Sequence, residues 1–148
     1  MDIVAVNPAG TLFVSGHIED WEALRERGID TIVDMDGEVD VGIPASPNTI
    51  LYVYYPILDD DLPDLTKIEA LGRLVAGLVS DQHRVLVHCR MGFNRSVLVI
   101  ATALTYLGMT GEQALGHLRE CRPGALFNEN FAAHVVVLPA RRIRVESL

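Results

Sequence analysis

Short apolar runs alternate with amphipathic stretches along the chain, and that alternation predicts an α/β fold. Thr11–Val14 reads as a short strand and Thr31–Met35 as a buried one. Ile50–Ile57, rich in Tyr, Val and Ile, reads as a third strand, and Arg84–Val87 as a fourth. Pro44, Pro47 and Asn48 mark the loop between the second and the third. Trp21–Arg27 is amphipathic, with Asp20 placed to cap it. Ile68, Leu71, Leu74, Val75 and Leu78 recur at helical spacing behind Thr66-Lys67-Ile68-Glu69, which has capping-box spacing. Val97–Leu107 reads as a buried helix. Thr110-Gly111-Glu112-Gln113 repeats the capping-box spacing and opens a helix to about Cys121, ended by Pro123 and Gly124. A last helix covers Glu129–Leu138 and stops at Pro139, although the β-branched residues of Val135–Val137 favour it weakly. Assembled, these elements predict one α/β domain over residues 1–148, with a mainly parallel sheet of four or five strands and helices on both sides.

Composition narrows the class. The chain is 49% hydrophobic and 22% charged, enough apolar residue for one good core and too much for disorder. The longest apolar run, Val97–Met109, is interrupted by Thr102 and Thr105 and falls short of the roughly 20 residues of a membrane span. The first residues lack the basic stretch of a secretory signal, so a cytoplasmic setting is expected. Two cysteines there make no disulfide framework. A net charge of −8 speaks against nucleic acid as a partner. The charge is uneven, however: residues 1–64 carry −12 and residues 65–148 carry +4. The second half can therefore hold an anion that the chain as a whole repels.

The chemistry concentrates in Val85-Leu86-Val87-His88-Cys89-Arg90-Met91-Gly92-Phe93-Asn94-Arg95-Ser96. An apolar strand delivers a cysteine, a short polar loop follows, and a buried helix opens near an arginine. A loop that short can turn its backbone N–H groups inward as an anion nest, with the N-terminus of the helix facing the same hollow. Gly92 permits the tight turn. The thiolate of Cys89 would be the nucleophile, and Arg95 brings a planar fork that matches two phosphoryl oxygens.

This segment resembles the signature of the cysteine-dependent phosphatases, in which His-Cys is followed by five residues and then Arg-Ser. Tyr52-Val53-Tyr54-Tyr55-Pro56-Ile57-Leu58-Asp59 resembles the general-acid loop of the small dual-specificity branch. Arg122-Pro123-Gly124-Ala125-Leu126-Phe127-Asn128-Glu129-Asn130-Phe131 is similar to the branch's segment after the penultimate helix. The resemblance runs from about Leu12 to Leu138. It implies a dual-specificity-phosphatase-like fold and two-step hydrolysis of phosphate monoesters without cofactor or metal. By the same resemblance Cys89 attacks phosphorus and forms a phosphocysteine. Arg90, Met91, Gly92, Phe93, Asn94 and Arg95 wrap the phosphoryl group, and Arg95 follows its oxygens into the transition state. Ser96 hydrogen-bonds the sulfur and helps it leave, His88 orients the loop and favours the charged thiolate, and Asn128 braces the loop. The general acid stands among Asp59, Asp60 and Asp61. The separation of thirty positions from Asp59 to Cys89 favours Asp59, with Asp60 next; the others belong to a solvated acidic loop capping the next helix. The implied partners are a phosphorylated protein or peptide, with phosphate, sulfate or vanadate as small occupants; a monomer is expected, and no membrane.

Other readings fit fewer residues. Asp34-Met35-Asp36-Gly37-Glu38 resembles the Asp-x-Asp motif of the magnesium-dependent haloacid-dehalogenase phosphatases. Glu38 departs from that pattern, and a single lysine, Lys67, is left for its later basic position. Gly92-Phe93-Asn94-Arg95 matches a loop of RNA 5′-triphosphatases, but Arg90-Met91 and Ser96 depart from it, and the acidic chain lacks a track for RNA. Phosphoinositide phosphatases line this loop with lysines, where only Arg90 stands here. A catalytically dead phospho-residue binder would have lost Cys89 or Arg95. Cys121 reads as a structural thiol, with a redox partner of Cys89 as the sharper alternative. His17, His83, His117 and His134 lack ligand spacing and read as surface or satisfied core histidines. Arg141, Arg142 and Arg144 read as a solvated basic end.

Overall fold

The computed structural model describes residues 1–143. Five strands form one sheet: β1 (Val4–Ala5), β2 (Leu12–Ser15), β3 (Thr31–Asp34), β4 (Leu51–Tyr54) and β5 (Val85–His88). Their spatial order is β1-β2-β5-β3-β4. β1 runs antiparallel to β2, and the other pairs are parallel. β2, β3 and β5 are buried along their whole length, as parallel strands covered on both faces must be. Five helices follow the same order: α1 (Trp21–Glu26), α2 (Leu65–Ser80), α3 (Arg95–Tyr106), α4 (Gly111–Cys121) and α5 (Glu129–Val136).

The strand period of two sorts side chains into two cores. Leu12, Val14, Val33, Val85 and Val87 join α2–α5 in the larger one. Phe13, Ile32 and Leu86 point the other way and meet Leu24 of α1 with Ile18 and Ile29. Helices do lie on both faces, but four to one. α3 is the hub: Ser96 through Thr105 are buried without a break. Its two threonines are satisfied locally, Thr102 by Leu98 O at 2.8 Å and Thr105 by Thr102 O at 2.7 Å, so neither costs an unpaired hydroxyl.

Several boundaries differ from the sequence reading. β1 is two residues long, too short for any period to show. The third predicted strand stops at Tyr54, before Pro56, which cannot donate to a ladder. α2 is capped by Asp64, whose carboxylate accepts Thr66 N–H at 3.0 Å, rather than by Thr66 itself. The second capping box forms as read, with Thr110 and Gln113 each satisfying the other's backbone. α5 ends two residues early, at Val136. Arg141 is no solvated end: its guanidinium donates to Glu69 Oε2 at 2.7 Å and Thr105 Oγ1 at 2.7 Å and covers the Tyr106 ring. Arg142 lies against Gly108, and Arg144 lies outside the described residues.

Candidate active site

β5 ends at His88 in the middle of the sheet, so Cys89 emerges at its carboxyl edge, where open α/β sheets place ligands. Residues 89–94 close a tight loop into α3. Gly92 bends it with φ of +75°, and a Cβ there would lie 2.6 Å from the Ser15 carbonyl carbon. Glycine is therefore required twice, by dihedral and by space. The Gly92 N–H turns inward and donates to Cys89 Sγ at 3.3 Å, and the Ser96 hydroxyl lies 3.2 Å from the same sulfur. Cys89 is 2% exposed, at the floor of the loop, so the group it attacks must come to it through the loop's hollow.

Two of the loop's carbonyls are held outward by a residue that heads the segment after α4, quoted above for its resemblance but given no role there. Arg122 donates from Nε to Gly92 O at 2.6 Å and from Nη2 to Met91 O at 3.0 Å, with its guanidinium 4.4 Å from the Phe93 ring centroid. With carbonyls taken outward, N–H groups are left to face in. Nothing local marks Arg122 for this, because its partners lie 30 and 31 positions upstream.

The start of α3 carries a second signal. α1, α2, α4 and α5 each have a side chain capping their first amides, and α3 has none. Asn94 stands at that cap position but is used elsewhere: its Oδ1 accepts Asn128 N–H at 2.9 Å and its Nδ2 donates to Asp59 Oδ2 at 2.9 Å. The opening amides of α3 thus stay available to an anion in the hollow.

Asp59 is drawn to the loop from both sides, because Asn128 Nδ2 donates to its other oxygen at 2.8 Å. Asp60 offers only its carbonyl, to Asn128 and Asn130. Asp61 has no such tie to the loop among the described hydrogen bonds. Asn128 therefore links the acidic loop, the phosphate loop and the cap of α5, where its Oδ1 accepts Phe131 N–H.

Arg95 opens α3 with its Nη1 3.4 Å from Ile57 O and 3.7 Å from Asp36 Oδ1; its Nε is buried without a protein partner. Arg90 Nε stands 3.4 Å from Asp36 Oδ2 and His17 Nδ1 3.9 Å from it. Asp36, 4% exposed, thus collects three basic neighbours at the loop's mouth. The Asp34-Met35-Asp36 run lies within this site's surroundings. Met91, on the loop, is two-thirds exposed on the rim. His88 faces away from the sulfur, into a buried group with Asp34, Asp40 and Tyr52.

The remaining histidines divide. His117 Nε2 meets Val6 O at 2.6 Å, and His83 pairs with Asp30 at the surface. His17 Nδ1 and His134 Nε2 are buried without hydrogen bonds, so these two are not satisfied. Cys121 is half-buried against the larger core, its Sγ 3.5 Å from His117 Nε2, and burial raises its thiol pKa.

A thiol at the end of a central parallel strand, under an anion-turned loop with an arginine at the following helix, defines the class of cysteine-based phosphatases. Residues 13–139 match the dual specificity phosphatase catalytic domain, and the chain belongs to that family. It is 32% identical over 132 residues to dual specificity protein phosphatase 12 of Rattus norvegicus, covering 86% of this chain and 38% of that one. The chain thus spans about two fifths of that relative's length. A point variant of human DUSP28 superposes with a TM-score of 0.78 at 24% identity, over 91% of this chain and 92% of that one. A mouse protein assigned as a dual specificity phosphatase and complexed with zinc tungstate superposes at 0.76 with 27% identity, over 90% and 83%.

Proposed function

We propose that this domain hydrolyses phosphate monoesters of phosphotyrosine, and of phosphoserine and phosphothreonine, on protein or peptide substrates through a phosphocysteine. The observation that carries the reading is the loop around Cys89, with the Gly92 N–H turned to the sulfur, the Met91 and Gly92 carbonyls taken by Arg122 and the adjoining helix left uncapped. In the first step Cys89 Sγ forms a bond to phosphorus as the ester oxygen leaves. Asp59 gives that oxygen its proton. Arg95 turns its fork to two phosphoryl oxygens, which also supplies a partner for its buried Nε. In the second step a water attacks phosphorus, Asp59 takes its proton, and the S–P bond breaks, with the Ser96 hydroxyl supporting the departing sulfur. The protons of this cycle pass through Asp59, and the charge on the phosphoryl oxygens is met by Arg95 and the amides of the loop and of α3. Support for an oxyanion in this fold comes from the mouse relative solved with tungstate. A reducing, cytoplasmic setting belongs to the same proposal, since both cysteines are free and one must stay so.

The test is hydrolysis of an aryl phosphate with EDTA and with vanadate, followed by a panel of phosphopeptides, a phosphoinositide and RNA 5′-triphosphate. Turnover that resists EDTA, yields to vanadate and is highest on phosphopeptides is expected. Turnover abolished by EDTA would overturn the thiolate route, and a preference for the lipid or RNA would overturn the substrate class.

A further inference from the structure

Directly behind the nucleophile lies a buried polar group that the loop's own contacts do not require. His88, fully buried, places Nε2 2.7 Å from Asp40 Oδ2 and 3.6 Å from Asp34 Oδ1. The Tyr52 hydroxyl donates to Asp34, lies 3.1 Å from Asp40 Oδ2 and accepts Asp40 N–H at 2.9 Å. The Asp36 N–H closes on Asp34 Oδ1 at 2.8 Å. Asp40 Oδ1 and His88 Nδ1 are buried with no hydrogen-bond partner among the described residues. From the neighbouring elements, β2 brings Ser15 in register with His88, and α1 brings apolar Leu24 while Glu22 stays exposed.

Two carboxylates in the interior are costly unless a cation or a proton offsets them, and the imidazole is the group placed to do so. Burial raises the Asp34 carboxyl pKa, and burial with the Asp34 hydrogen bond raises the Tyr52 phenol. The nearer carboxylate of His88 is Asp40, at 2.7 Å against 3.6 Å for Asp34, so the ring is held by Asp40. The donor atoms already pair with one another, so the group reads as a hydrogen-bonded clamp in preference to a cation site.

We propose that Asp40 is a positioning residue for the reaction: through Nε2 it fixes the orientation and the proton of the His88 ring, and so holds the strand end from which Cys89 enters the loop. The His88 carbonyl is already committed to Met35 N–H at 2.9 Å. With ring and carbonyl both tied to the β3–β4 segment, the peptide leading to Cys89 has one orientation, and the imidazole stands one residue from the sulfur.

This rests on Cys89 as the nucleophile, which parent turnover tests separately. Asp40→Asn, Asp40→Glu and Tyr52→Phe are made in the full chain and followed by aryl phosphate pH–rate profiles. Asp40→Asn is expected to lower kcat on the order of tenfold, about 1.4 kcal/mol, with KM held within about twofold. It should also move the acid limb of kcat/KM to higher pH. Asp40→Glu restores part of both, and Tyr52→Phe moves the limb the same way by less. In the parent, nitrogen NMR is expected to show a His88 Nε2 proton held in a hydrogen bond, and Asp40→Asn to lose that signature. An Asp40→Asn profile with an unmoved acid limb, whatever its amplitude, overturns the proposal, as does a parent His88 whose Nε2 carries no hydrogen-bonded proton. A parent without turnover sinks the phosphatase reading instead, and the NMR result then decides the clamp alone.

Discussion

Asp59, Asp60 and Asp61 are the same side chain three times over, and only their partners tell them apart. Both oxygens of Asp59 are taken by carboxamides, one from the phosphate loop and one from the cap of α5, while the Asp60 carboxylate has no such ties. Asp59→Ala should therefore lower kcat by about 10²–10⁴, the range for losing a general acid. The loss should be steepest on esters with poor leaving groups. Asp60→Ala should leave the rate within about twofold, and a leaving-group series on both variants checks this. Cys89→Ser should end steady-state turnover while inorganic phosphate still binds, since the loop amides and Arg95 remain; calorimetry alongside the assay reads both. The spacing to Cys89 favoured Asp59 in the sequence but could not settle it. What distinguishes it is Asn94, a residue whose side chain could equally have capped α3.

At the scale of elements, α2 and α3 meet closely because Gly72 lets them. A Cβ at Gly72 would lie 2.5 Å from Thr102 Cγ2, deep in the helix that launches from the loop. Gly72→Ala should cost about 1–3 kcal/mol of stability by overpacking, visible as a lower Tm in thermal denaturation. The elements themselves were largely legible. The short apolar runs of β2, β3 and β5, the apolar length of α3 and the Thr110 capping box all follow from local pattern. Other features were not. Two residues of β1 carry no period. Pro63-Asp64 ahead of Thr66 supplies a competing cap one turn-step earlier, and the local spacing cannot choose between them. Periodicity says that a helix has an apolar face but not which side of the sheet it meets, so the four-to-one division was invisible. Arg122 and Asp40 act on residues 30 and 48 positions away, a distance that no local pattern spans.

The whole molecule inherits a pH dependence from groups far from the loop. His134 of α5 is half-buried beside Glu69 and Arg141, and burial lowers its pKa below the ordinary 6.5. Between that value and the lower folded one, the unfolded chain binds a proton that the folded chain resists. Stability therefore falls as the pH drops below about 6.5. His134→Gln should flatten this part of a Tm-against-pH curve; an unchanged slope would assign it to other groups. The arrangement around Asp59 also bears on the molecule's tempo. Its carboxylate is fastened to Asn94 and Asn128, so acid and nucleophile ride on one frame and not on a hinged flap. Thickening the solvent with glycerol should then leave kcat on an aryl ester flat, because friction has no swinging part to slow between one turnover and the next.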